Sequence, residues 1–316
     1  MSSMGALNLR TALRRQRGIA VIMAILIAAL AASVASFMMW QQQVWARQVE
    51  NLTSLAQANA VSQAALEWTR MILAEDLKSG DIDHPGEVWA TVVPALPVEG
   101  GRIALALTDQ QGLFNLNNLV RNDKPSEVDI AAFQRLLVSL ELKPDLANAV
   151  VDWIDLDSEV TSSGGAEDLD YLGMQPPYRA ANQPLLDGNG LIRVKGFDAE
   201  AVARLQPFVT ALPTPTPLNV NTASPQVLAA VFEGLTVDTA KSLVVTGGKY
   251  YKDKAEFRDR LPTRGAAASD QTFGLGSQYF LATGLMSFGR VQIINRALLA
   301  RVGNKTRVIW QKHGDS

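Results

Sequence analysis

Arg14-Arg15-Gln16-Arg17-Gly18-Ile19-Ala20-Val21-Ile22-Met23 is the stretch on which the reading of this chain turns. Arg10, Arg14, Arg15 and Arg17 precede a lone glycine, and Ile19 to Met39 then runs without a charged residue. At ~1.5 Å per helical residue that run spans roughly 32 Å, the thickness of a bilayer's hydrocarbon core. The basic flank stays in the cytoplasm, so the rest of the chain lies across the membrane. A secretory signal peptide would have a shorter apolar core, although Ala31-Ala32-Ser33 imitates its cleavage site. A plain anchor needs no glycine at the junction between charged and apolar residues.

Working outward, composition narrows the function classes. The chain has 316 residues, 47% apolar and 19% charged, which describes a folded body plus a span. Its net charge is −2, and the four arginines before Gly18 account for four positive charges, so the remainder carries −6. Duplex nucleic acid, which requires clustered cations, is a poor partner for such a body. There is no cysteine, so no disulfide braces it. His84 and His313 are the only histidines, which weakens zinc and histidine-dependent hydrolase readings.

The spanning helix continues beyond the membrane, since Val44 to Leu77 holds no proline or glycine. At ~100° per residue, Val44, Leu52, Leu55, Leu66, Leu73 and Leu77 share a sector of about 80°, which predicts one apolar face against a partner surface. Gly80 ends this helix. After Gly100-Gly101, the alternation of Ile103, Leu105 and Leu107 with Arg102, Ala104 and Ala106 predicts a half-buried strand. Strand character returns only at 278–282, 291–299 and 307–310, with Gly284, Gly289 and Gly303 between.

The intervening residues read as helical and contain an echo. Asn115-Leu116-Asn117 and Asn219-Val220-Asn221 lie 104 residues apart. Each precedes a predicted helix pair, 128–140 with 144–153 and 225–232 with 237–245. Asparagine at these places is expected to cap helix N-termini, with Pro144 and Pro225 in first turns. Pro213-Thr-Pro-Thr-Pro217 is a stiff connector. The second unit is similar to the opening of helix-hairpin-helix modules, but Glu233-Gly234-Leu235-Thr236 lacks their paired glycines and carries an acid, against nucleic-acid binding.

Seven carboxylates lie between Asp152 and Asp170: Asp152, Asp155, Asp157, Glu159, Glu167, Asp168 and Asp170. Three readings stand open: a solvated loop with capping aspartates, a cation site, and a catalytic carboxylate pair of the glycosidase type. For a cation, Asp155, Asp157, Glu159, Glu167 and Asp168 are the ligand candidates. Calcium is preferred to magnesium because it takes six to eight oxygens. The spacing is not that of an EF-hand, whose sixth and twelfth positions would fall on Val160 and Ala166.

Several of these segments carry a family resemblance. Arg17-Gly18-Ile19-Ala20 resembles the leader of type IV pilins and pseudopilins. Gln111-Gly112-Leu113-Phe114-Asn115-Leu116-Asn117-Asn118-Leu119, Asp152-Trp153-Ile154-Asp155-Leu156-Asp157, Gly165-Ala166-Glu167-Asp168, Pro177-Tyr178-Arg179-Ala180, Val194-Lys195-Gly196 and Asn219-Val220-Asn221-Thr222-Ala223 resemble the K-type minor pseudopilins of type II secretion. The resemblance implies an α+β, pilin-like fold: a long N-terminal helix on a small antiparallel sheet, with a large α-helical insertion. It divides the chain into a leader (1–18), a span (19–39), the rest of the helix and the first strand (40–111), the insertion (112–276) and the remaining strands (277–316).

It further implies cleavage by prepilin peptidase between Gly18 and Ile19, methylation of the new terminus, and bound calcium in the insertion. Met23 takes the fifth mature position, where most pilin-like proteins carry glutamate and this family commonly does not. The implied role is structural, without catalysis: capping the tip of a periplasmic pseudopilus for export across the outer membrane. The implied partners are the I- and J-type minor pseudopilins, the major pseudopilin and the inner-membrane assembly platform. The implied location is the Gram-negative inner membrane, with a single pass and a periplasmic body. A minor type IV pilin or a membrane-anchored metal-dependent enzyme are the alternatives. Val44, Leu52, Leu55, Leu66 and Leu73 are expected to face partner helices and the protein's own sheet.

Overall fold

The computed structural model describes residues 5–246, 248–262, 268–269, 271–303 and 305–314, with the backbone alone for 5–18. The first four residues, and the side chains of the leader's arginines, lie outside that description. The chain divides into two compact units, residues 1–60 with 288–291, and residues 61–287 with 292–316.

Helix α1 spans Gly5–Asp76. Over 19–43 its side chains stand free, Ile19 at 62%, Leu26 at 61% and Met39 at 68% exposed. The helix is long and apolar enough to cross a membrane. The two hydroxyls within 19–39 are satisfied internally: Ser33 and Ser36 donate to the carbonyls of Ala29 and Ala32, each at 2.8 Å. That local satisfaction suits a medium without water.

The second unit has a five-stranded sheet in the order β1–β2–β3–β4–β5. Its strands are β1 (Val93–Val98), β2 (Gly101–Asp109), β3 (Tyr279–Phe288), β4 (Val291–Val302) and β5 (Lys305–Gly314). β1 and β2 pair antiparallel through the Gly100-Gly101 turn, where Gly100 takes φ +80°. β4 and β5 also pair antiparallel, with an irregularity at Leu298/Leu299. On α1, Ser62, Leu66, Thr69 and Leu73 are buried at spacings of four and three. Leu66 and Leu73 join Trp89, Leu107, Phe280, Ala282, Ala297 and Leu299 in one core.

The apolar sector of α1 is therefore not one continuous buried face. Leu66 and Leu73 are covered by the sheet core, whereas Leu52 and Leu55 in the first unit are exposed at 66% and 42% and Val44 is half-buried. Two strand expectations also change. β1 is an additional strand outside the expected set: Pro94 and Pro97 speak against a strand, yet an edge strand tolerates prolines. Gly284 does not separate strands, since β3 runs through it.

Between β2 and β3 lies the insertion, with helices α2 (Glu127–Ser139), α3 (Leu146–Ile154), α4 (Asp168–Leu172), α5 (Ala199–Leu205), α6 (Pro225–Val231), α7 (Val237–Ala240) and α8 (Lys254–Arg258). They surround a core of their own that includes Phe133, Leu136, Val150, Trp153, Tyr171, Leu228, Phe232, Tyr251 and Phe257. α7 stops five residues short of the expected end, and Pro144 sits in the turn before α3.

The Asn-x-Asn segments do a different job from the one expected. Ser224 caps α6 by accepting from Val227 N–H, and Pro225 fills the first turn. Asn115 caps only a short 3-10 turn, Leu116–Leu119. Its buried amide donates to Thr214 O at 3.0 Å and accepts from Leu212 N–H at 3.0 Å, so it staples the proline connector. Asn219 donates to Asp83 O, Asp109 Oδ2 and Ser277 Oγ at 3.1, 2.9 and 3.0 Å. Asp109 ends β2 and Ser277 precedes β3, so Asn219 closes the base of the insertion.

Candidate metal centre

The acidic loop is built from the end of α3. Asp152 is fully buried; its Oδ1 accepts from Thr161 N–H at 3.1 Å and its Oδ2 from Ala166 N–H at 2.8 Å. Burial pushes its pKa up, against those hydrogen bonds. A Cβ on Gly165 would stand 2.3 Å from that Oδ2, which is why glycine allows the chain to fold back here. Asn148 fastens the same loop, donating to Ser162 Oγ and Ser163 O at 2.8 Å.

This folding brings Asp155, at the C-cap of α3, beside Asp157 and Glu167, at the N-cap of α4. One carboxylate oxygen from each lies within 4.8 Å of the others. Asp155 and Glu167 are 3% and 5% exposed. Asp155 Oδ1 and both Glu167 oxygens are buried without a hydrogen-bond donor. Burial, then Asp157 and Asp152, push the Asp155 pKa up to about 6; burial, then Asp152 and Asp155, push that of Glu167 up to about 7.

The other two ligand candidates are directed elsewhere. Asp168 accepts from Ala180 N–H at 3.0 Å and pairs with Arg179 at 3.4 Å. Glu159 is exposed and contributes its backbone N–H to Asp157 Oδ1 at 2.9 Å. Asn182, which no sequence pattern marked, is tied to the backbone of Asp157. Its Nδ2 donates to Asp157 O at 3.0 Å, and its Oδ1 is buried and unpartnered. Its backbone is left-handed, φ +44°, a conformation asparagine tolerates.

A second acidic group, Asp76, Asp83 and Glu87, has equally close carboxylates but already contains a cation. Arg301 donates to Asp83 at 2.6 Å and to Asp76, and its guanidinium stacks 4.4 Å from the centre of the Phe280 ring. Burial still pushes the Asp83 pKa up to about 7. The loop triad has no such counterion among the described residues. Unpaired buried carboxylates are costly, and a hard cation ligated by oxygen relieves that cost. The residues brought together fit such an ion: three carboxylates, with no sulfur or imidazole among them.

Two family models, each described as "Type II secretion system (T2SS), protein K", match residues 112–214 and 218–275. The type II secretion system protein K of Pseudomonas aeruginosa is 33% identical over 314 residues, 95% of this chain and 94% of that protein. That of Klebsiella pneumoniae is 32% identical over 317 residues, 95% and 97% of the two chains. Among solved structures, a chain of the GspK-GspI-GspJ complex from the enterotoxigenic Escherichia coli type 2 secretion system superposes with a TM-score of 0.76 at 26% identity, covering 85% of this chain and all of that one.

Proposed function

The chain belongs to the type II secretion system protein K family, and we propose that it caps the tip of the periplasmic pseudopilus. The observation that carries this reading is the insertion of residues 110–278 between two adjacent strands of the sheet. A folded domain in that position would obstruct a subunit stacked above it, and only a tip subunit has none above. The complex in which the E. coli relative was solved supports I- and J-type minor pseudopilins as its partners. The free apolar length of α1 supports a single-pass anchor whose helix also meets partner helices. The role is structural: the protein nucleates assembly of the fibre, with the major pseudopilin below it and the inner-membrane platform driving extension.

In this reading prepilin peptidase removes the leader between Gly18 and Ile19, and the new terminus is methylated. Mass spectrometry of the protein from its host membrane tests this. A chain beginning at Ile19 with one added methyl group is expected, and a retained Met1 would overturn the pseudopilin mechanism. Co-purification of the tagged chain with I- and J-type subunits tests the tip assignment. A stable ternary complex is expected, and association with the major subunit alone would reject it.

The same reading assigns calcium to Asp155, Asp157 and Glu167, with Asn182 as a neutral oxygen ligand. A bound ion there would tie the α3–α4 loop together by charge and supply no reaction chemistry. Calcium is expected to raise the melting temperature of the detergent-solubilised chain relative to EGTA. Asp155→Ala with Asp157→Ala should erase that rise, and indifference of the parent protein to calcium would sink the assignment.

A further inference from the structure

A cavity of about 340 Å³ opens beside the α3–α4 region, walled by Trp153, Pro184, Leu186, Ile192, Arg193 and Lys312. Its rear wall is built rigidly. Leu185 and the Asn117 side chain exchange two hydrogen bonds, N–H to Oδ1 and Nδ2–H to O, each at 2.9 Å. Asn182, on the adjoining segment, is held to Asp157 O. The Trp153 ring is fixed by edge-on contacts with Tyr171 and Tyr178, ring centres 5.0 and 6.2 Å away.

The mouth, by contrast, is uncovered. Leu186 is 78% exposed and Ile192 49%, large apolar groups with nothing over them. Two cations reach the cavity. Lys312 pairs with Asp187, which leaves that part of the rim neutral. The Arg193 guanidinium has no ion pair or hydrogen bond among the described residues; only its backbone carbonyl is engaged, by the Tyr178 hydroxyl at 2.9 Å. An unpartnered guanidinium beside a fixed indole and bare aliphatic side chains is complementary to a carboxylate set among apolar groups. In a body with an excess of acids, this cavity carries the opposite sign.

We propose that this cavity docks a short apolar peptide segment of a partner protein that carries an acidic side chain. The carboxylate pairs with Arg193, and the flanking aliphatic groups cover Leu186 and Ile192 against Trp153. The binding needs no metal and involves no residue of the α1 stripe, so it is separate from both the calcium assignment and fibre packing.

Fluorescence polarisation on the detergent-solubilised full chain tests it, using a labelled, acetylated and amidated peptide Gly-Leu-Asp-Leu-Ile-Gly. Its counterpart with Asn for Asp, and a second counterpart with Asn and a free C-terminal carboxylate, complete the set. The Asp peptide is expected to bind at least about tenfold tighter than the amidated Asn peptide. Arg193→Gln should remove that advantage. Leu186→Glu should weaken the Asp peptide comparably at an unchanged melting temperature. Equal binding of the Asp and Asn peptides, persistence of the advantage in Arg193→Gln, or no binding of any peptide overturns the proposal. Tighter binding of the free-carboxylate peptide than the Asp peptide also rejects it, in favour of a chain terminus.

Discussion

Asn182 is the residue that most sharpens the proposed metal centre, because its buried, unpartnered Oδ1 would contribute an oxygen without adding charge. If its Oδ1 ligates calcium, Asn182→Ala should weaken binding by roughly tenfold, about 1.4 kcal/mol, in isothermal titration calorimetry. Asp168→Ala, which removes a carboxylate turned toward Arg179, should leave the calcium affinity unchanged. The carboxylates also set a pH dependence. Asp155 and Glu167 have pKa values of about 6 and about 7, above their ordinary values of 3.8 and 4.5. The folded, metal-free state therefore holds their protons more tightly than the unfolded chain. Their stabilising contribution is complete below about pH 4 and is lost as pH rises through 6 and 7. Thermal melts in EGTA should show a fall from pH 5 to pH 8. Calcium, which displaces those protons, should remove most of it.

At the scale of elements, α1 serves two environments with one sequence pattern. Leu73 is fully buried in the sheet core, so Leu73→Ala should cost about 2–5 kcal/mol in chemical denaturation. Leu52 is two-thirds exposed, and Leu52→Ala should change stability by no more than about 0.5 kcal/mol. If the free part of α1 meets partner helices, that same Leu52→Ala variant should lose co-purified minor pseudopilins while Leu73→Ala, kept folded at low temperature, retains them. The periodicity of the helix was legible because a 3.6-residue repeat survives in any environment. Which stretch lies on the protein's own sheet was not, since covered and uncovered leucines keep the same spacing. The edge strand β1 hid for a related reason: its prolines speak against a strand, and only its place at the sheet's margin makes them harmless.

Within the second unit, the insertion is joined to the sheet through buried polar groups. Asp109 accepts from Gln111 N–H, Asn219 Nδ2, Thr222 Oγ1 and Ser277 Oγ at 2.7, 2.9, 2.5 and 2.7 Å, bringing both ends of the insertion together. Asn219→Ala would leave Asp109 and the Asp83 carbonyl short of donors in a buried place. A loss of about 3 kcal/mol or more is expected, read as a lower denaturation midpoint. The amino-acid sequence by itself determined the apolar span, the helical period of α1, the alternating strands and the local crowding of acids, because these are properties of neighbouring residues. Only the tertiary structure decided which acids converge, that Asp168 turns to Arg179 while Asn182 is tied to Asp157, and that the paired asparagines staple distant loops instead of capping helices. Those outcomes depend on groups from about ten to more than a hundred residues apart being brought together by the fold, where a buried oxygen must find a donor or a cation, and no local spacing encodes that meeting.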